Sequence, residues 1–143
     1  MEHSDMAIIR PTVRGVYKEL IASRSLLMDS SAAVARRKSM ARVLVMYKTP
    51  KDAAAFDKYY FETHVPIAKK LPGLKKFEVS QGCVVSPSGD GSVHRIAILH
   101  FDSMATVQAA FASPEGLAAA EDVQVFAPEP GSVQILMFEE RQV

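Results

Sequence analysis

The sequence predicts an α+β domain of the β-α-β-β-α-β, ferredoxin-like type, with its helices on one face of an antiparallel sheet. Three observations carry this reading. Four β-rich segments and two helical patterns follow one another in that order. The 143 residues are 48% apolar and 23% charged, which suits one soluble domain with a single core. Three of the four strands are also apolar on both faces, which a lone sheet with one solvated side does not require.

The elements read as follows. Residues 42–48 are β-rich, with Val43, Val45 and Tyr47 facing one way and Leu44 and Met46 the other. Thr49-Pro50 ends that strand, and residues 51–62 read as a helix with Phe56, Tyr59 and Tyr60 on its inner side. Pro66 lacks an N–H and restricts Val65, so the helix is expected to kink or restart around 63–65 before a further turn or two over 67–71. Pro72-Gly73 signals a turn into a half-polar second strand over 74–81, with Lys76, Glu78 and Ser80 opposite Phe77 and Val79. The Gly- and Ser-rich loop over 86–92 suits a hairpin connection to a third strand over 94–101. Ser103 can cap a short helix carrying Met104, Val107 and Phe111. Ser113-Pro114-Glu115 combines an N-cap serine, a first-turn proline and an acid at the positive helix end. Pro128 to Gly131 closes that region, and residues 133–139 form the fourth strand.

The net charge of +1 hides an asymmetry. Residues 1–39 carry seven Lys/Arg against four Asp/Glu, a net of +3, and the rest carries ten against twelve, a net of −2. This break predicts an N-terminal extension over 1–39, partly helical or disordered, ahead of a domain over 40–143. Its one helical pattern, over 11–28, places Val13, Val16, Leu20 and Leu27 at roughly helical spacing and leaves a docking helix as the alternative.

Both-face apolarity bears on assembly. Ile96 and Ile98 lie opposite Ala97, Leu99 and Phe101 on strand three, and Ile135 and Met137 lie opposite Leu136 and Phe138 on strand four. Four strands at ~4.8 Å spacing, each about seven residues at ~3.3 Å, present a face of roughly 440 Å². An apolar patch of that size marks an interface or a ligand groove, and the helices cover only one face. A homodimer with facing sheets around a shared cavity is therefore expected.

The segment from Phe56 to Leu74 carries a family likeness. An aromatic-rich helix, His64-Val65-Pro66, and Leu71-Pro72-Gly73-Leu74 leading into strand two resemble the signature of the EthD family, named for ethyl tert-butyl ether degradation. The Ser113-Pro-Glu-Gly116 helix start and the Phe126-then-Pro128 exit are similar as well. The likeness covers about residues 41–140. It implies a dimeric α+β barrel, an association with catabolic gene clusters and a loose grouping with oxidoreductases. Related barrels include cofactor-free monooxygenases, decarboxylases and polyketide cyclases or dehydratases.

His64 is the first candidate for catalysis, because its imidazole can exchange a proton near neutral pH with an enolisable or phenolic substrate. The competing reading is structural: His64 closes the proline break by bonding the freed backbone groups. Tyr60 precedes His64 by four residues and shares its helix face if the helix persists. Tyr47 and His100 are further candidates for substrate binding, as polar groups in an apolar pocket, should their strand faces line the cavity. Tyr59 and Phe56 read as core.

Several classes are set aside. His3, His64, His94 and His100 show no metal-ligand spacing, so no metal is expected, and the absence of Gly-rich phosphate loops argues against a nucleotide or flavin cofactor. Cys83 alone allows no internal disulfide, and it reads as incidental. A cytoplasmic, non-membrane protein is expected, since no apolar run reaches the length of a membrane-spanning helix. RNA-recognition modules share the element order, but strand three lacks their basic, glycine-aromatic motif and the domain is mildly acidic, so no nucleic-acid partner is expected. Two readings remain. One is a small enzyme, oxidoreductase-like or cyclase/dehydratase-like without a bound cofactor, that holds a hydrophobic molecule and uses His64. The other is a non-catalytic ligand-binding or accessory module of a degradation pathway.

Overall fold

The computed structural model describes residues 39–89 and 92–143. The expected extension and its helix over 11–28 lie outside them, Ser39 apart. Strands β1 (Met40–Lys48), β2 (Lys76–Val79), β3 (Val93–Phe101) and β4 (Val133–Glu140) form an antiparallel sheet in the order β2-β3-β1-β4. A helical segment joins β1 to β2: α1 (Ala53–Tyr59), a π-helical turn (Tyr60–His64) and α2 (Val65–Ala68). Between β3 and β4 run α3 (Met104–Ala112) and α4 (Pro114–Phe126). This is the expected ferredoxin-like topology.

The helix starts obey local chemistry. The side chains of Asp52, Ser103 and Ser113 accept from the backbone N–H of Ala55, Thr106 and Gly116, satisfying donors that a first turn leaves unpaired. Gly73, at φ +79°, turns the chain toward β2, where a Cβ would fall 2.4 Å from Thr106 Cγ2. At Gly116 a Cβ would meet Ala110 O at 2.3 Å, so only glycine allows α4 to leave α3 this closely.

The expected break at Pro66 is not a break. In an α-helix the proline ring would press on the Glu62 carbonyl, and its missing N–H would leave a gap in the ladder. The helix instead widens over one turn, with Val65 N–H bonding the Tyr60 carbonyl five residues back, and α-geometry resumes. Both Tyr60 and His64 stay on the buried side of this turn.

The helices cover one face of the sheet. Ala41, Val43, Val45 and Tyr47 of β1 and Ala97, Leu99 and Phe101 of β3 form that covered face, together with Phe56, Val107 and Phe111 from the helices. The opposite face bears no helix, and Leu136 and Phe138 are 41% and 45% exposed there. In β3 the register slips: Tyr47 pairs with Arg95 but Lys48 with Val93, leaving His94 as a bulge residue. The bulge defeats strict alternation, so His94 reaches Asp57 on α1 instead of sharing the Ile96 and Ile98 face. No described helix is long and apolar enough to cross a membrane.

Candidate functional site

The π-turn carries His64 under the sheet, where the residue is 5% exposed. Its Nδ1 donates to Asp122 Oδ2 at 2.9 Å, and the other carboxylate oxygen, Oδ1, accepts from the Tyr59 hydroxyl at 2.6 Å. Asp122 comes from α4, whose inner side is small (Gly116, Ala119, Ala120), so the helix packs closely enough for its carboxylate to reach both partners. An ionised carboxylate only accepts, which assigns the proton to Nδ1 and leaves Nε2 as the basic nitrogen. Among the described residues nothing hydrogen-bonds Nε2.

Burial pulls the His64 pKa below its ordinary value, against the hydrogen bond and charge of Asp122, which act to raise it. The ring is therefore neutral at neutral pH. The bond to Asp122 raises the Tyr59 phenol, with burial adding to the effect. Tyr60 is fully buried, and desolvation pushes its phenol far above the usual range, opposed in part by the Arg95 charge and the Tyr47 side chain. Tyr47 acts to lower it, yet among the described residues the Tyr60 hydroxyl makes no hydrogen bond of good geometry, which leaves its buried O–H without an acceptor there.

These groups meet at a cavity of about 30 Å³ between helices and sheet, lined by His64, Tyr60 and Tyr47 among apolar residues such as Leu71, Phe77 and Val123. At ~10–15 Å³ per water it holds about two. His64, Tyr60 and Tyr47 thus converge within one subunit, on the helix-covered face, not on the face expected to meet a second copy. His100 does not join them. It pairs with Arg42 on the uncovered face and its Nε2 donates to Glu78 Oε2 at 2.7 Å. The grouping of Tyr47 with His100 fails because Tyr47 pairs with Arg95 in the register, which sets the two residues on opposite faces.

Sequence reasoning passed over Asp122 altogether and read Tyr59 as core. Asp122 lies 58 residues from His64, on a helix with three other acids within or beside it in sequence, and no local spacing marks it out. Across the site, Asp57 Oδ1 accepts from both Arg95 Nη2 at 2.7 Å and His94 Nε2 at 2.8 Å. Burial alone would raise the Asp57 carboxyl, but these two partners hold it below its ordinary value. Arg95 also donates to the Ser80 carbonyl and lies 4.8 Å from the centre of the Phe61 ring. No three described His, Cys, Asp or Glu side chains converge as metal ligands.

Known proteins share this arrangement of chain. The EthD domain family model matches residues 48–129. An uncharacterised 11.0 kDa protein in the thcB-thcC intergenic region of Rhodococcus erythropolis is 40% identical over 104 residues, which is 73% of this chain and 98% of that one. The crystal structure of an EthD family protein from Bacillus halodurans is 30% identical, covers 71% of this chain and 99% of its own, and superposes with a TM-score of 0.65. A hydroxynitrile lyase from Passiflora edulis shares the fold at 17% identity, with 75% of this chain and 98% of that chain covered and a TM-score of 0.57. Other structures of the fold, 13–21% identical with TM-scores of 0.50–0.53, are dimeric ferredoxin-like proteins.

Proposed function

The chain belongs to the EthD family, and on that premise we propose that it is a small-molecule enzyme in which His64 transfers a proton to and from an apolar substrate. The observation that carries the proposal is the Tyr59–Asp122–His64 chain, which holds Nδ1 of a cavity-lining imidazole and leaves Nε2 without a hydrogen-bond partner among the described residues. Asp122 fixes the tautomer and stabilises the imidazolium formed when Nε2 accepts a proton. Tyr59 holds the second carboxylate oxygen, so Asp122 cannot swing away. The proton comes from an acidic C–H beside a carbonyl, or from a phenol, and the Tyr60 hydroxyl donates to the oxygen on which negative charge develops. Its raised pKa keeps that donor protonated.

The test is solvent deuterium exchange into a panel of enolisable aryl ketones and phenols, read by NMR. Faster exchange with the wild type than with His64→Gln supports the reading. Equal rates across the panel would remove proton transfer from the protein.

One observation favours the alternative, a binding or accessory module: the space beside His64 is about 30 Å³, whereas an outer groove offers about 520 Å³. Under that reading His64→Gln leaves ligand binding intact and no reaction is found.

We also propose a homodimer through the uncovered sheet face, where Leu44, Met46, Ile96, Ile98, Leu136 and Phe138 lie on one side. The dimeric proteins that share the fold support it. Sedimentation of Ile98→Glu is expected to yield a folded monomer. A wild type already monomeric at micromolar concentration would overturn the dimer.

A further inference from the structure

The groove of about 520 Å³ lies where β1 ends, α1 begins and α4 gives way to β4. Its size falls in the range of small-molecule sites. Phe56, Tyr59 and Phe126 supply aromatic surface, Pro50 and Pro128 add apolar walls, and Lys51 and Glu129 face each other at 3.8 Å at the exposed rim. The groove thus offers ring-stacking surface with little net charge, which fits a flat apolar molecule, aromatic or alicyclic.

Phe126 has an unusual position. It borders the groove, and its ring centre lies 4.7 Å from that of His64, 5.6 Å from Tyr47 and 5.9 Å from Tyr60, the three polar residues of the inner cavity. It also packs on Phe56 and Tyr59, at 5.2 and 5.7 Å, which line the groove. Phe126 thus lines the groove and packs against His64, Tyr47 and Tyr60, which line the inner cavity. Phe126 is the last residue of α4 and only partly buried, and Ala127 after it already leaves helical geometry (φ −135°, ψ 60°). A ring at a helix end, with a space far larger than itself on one side, can turn without moving the sheet.

We propose that Phe126 is a gate, and that the groove is the outer chamber of the His64 site for a flat apolar molecule. The inference rests on the proposed role of His64 for its purpose, but its geometry stands on the groove and the ring alone. When Phe126 turns outward, the two spaces join and a molecule stacked on Tyr59 can place an acidic proton at His64 Nε2. With the ring inward, water-excluding aromatic packing protects the imidazole.

Diethyl pyrocarbonate labels neutral imidazole nitrogens, and peptide mass mapping separates His64 from His94 and His100. Slow labelling of His64 is expected in the wild type. In Phe126→Ala the rate at His64 should rise about tenfold or more, with His100 unchanged, as expected when a local closing contact is lost. Phe126→Leu, which keeps apolar bulk and guards against loss of folding, should show a smaller rise. Saturating 2-naphthol should suppress the added labelling in both variants. An unchanged rate at His64 in folded Phe126→Leu and Phe126→Ala would overturn the gate. A raised rate that 2-naphthol leaves untouched would overturn the groove as its outer chamber. None of these readouts needs turnover, so a gated protein with no activity would remove the proposed proton transfer and leave this inference standing.

Discussion

Two carboxylate–histidine pairs use the same residue types to different ends. In Asp122–His64 the carboxylate meets an imidazole and a neutral phenol, and both side chains are nearly buried, 10% and 6% exposed. In Asp57–His94 the same oxygen also accepts from Arg95, and Asp57 stands at the rim. A permanent cation already answers the Asp57 charge, so that pair works as a clamp between α1 and the bulge of β3. Among the described residues Asp122 has no such cation as a hydrogen-bond partner, and its influence falls on the imidazole. On the proposed reading, His64 serves as the base because its carboxylate partner is not shared with a guanidinium among the described residues.

The largest test of this contrast is His64→Gln, which should lower proton exchange by about 10²- to 10⁴-fold, the usual worth of a general base. Asp122→Asn should cost about 10- to 100-fold by freeing the ring tautomer and orientation. Asp57→Asn should leave exchange rates nearly unchanged while costing about 1–3 kcal/mol of stability, because the buried Arg95 loses a charged hydrogen-bond partner. Urea unfolding followed by circular dichroism checks it, and a rate loss as large as that of Asp122→Asn would erase the distinction between the two pairs. Tyr59→Phe should lower exchange about three- to tenfold and shift its pH profile, since it loosens Asp122 without touching His64.

The smallest effects are in pH dependence, and the two pairs should act in separate windows. Unfolded His64 takes up its proton near pH 6.5, whereas the folded ring does so only at lower pH. Between those values the unfolded chain binds more protons, so stability falls as pH drops below about 6.5 and levels off below the folded pKa. Asp57 is displaced below its ordinary 3.8, so its contribution is present above that value and is lost as pH falls through the folded pKa. Urea midpoints against pH should lose the first decline in His64→Gln and the second in Asp57→Asn. A single decline common to both variants would tie the pairs together.

Much of the fold was legible because local rules decide it. Ser103 and Ser113 cap helices where their sequence context predicts, and β2 alternates between exposed Lys76 and Glu78 and half-buried Phe77 and Val79. Pro66 marks a disturbance at 63–65 in the sequence, and the disturbance takes the form of a widened turn in which Val65 N–H bonds the Tyr60 carbonyl. The face of His94 is not legible in the sequence, because a single inserted residue in β3 cancels the alternation from which faces are read.

The candidate site was legible in part. His64 and Tyr60 sit on one short helical stretch, so spacing alone brings them to one side. Tyr47 stands out as a polar residue on an apolar strand, but its separation from His100 depends on a strand register that the sequence does not contain. By itself the sequence determined the order of elements, their caps and turns, and the presence of a histidine at a proline-disturbed helix, since each depends on residues within a few positions. Only the tertiary structure decided that Asp122 would answer His64, that Tyr59 would hold Asp122, and that Phe126 would pack against both His64 and Tyr59. Those choices depend on how α4 docks beside the π-turn, and contacts between residues 58 or more positions apart leave no mark in local spacing.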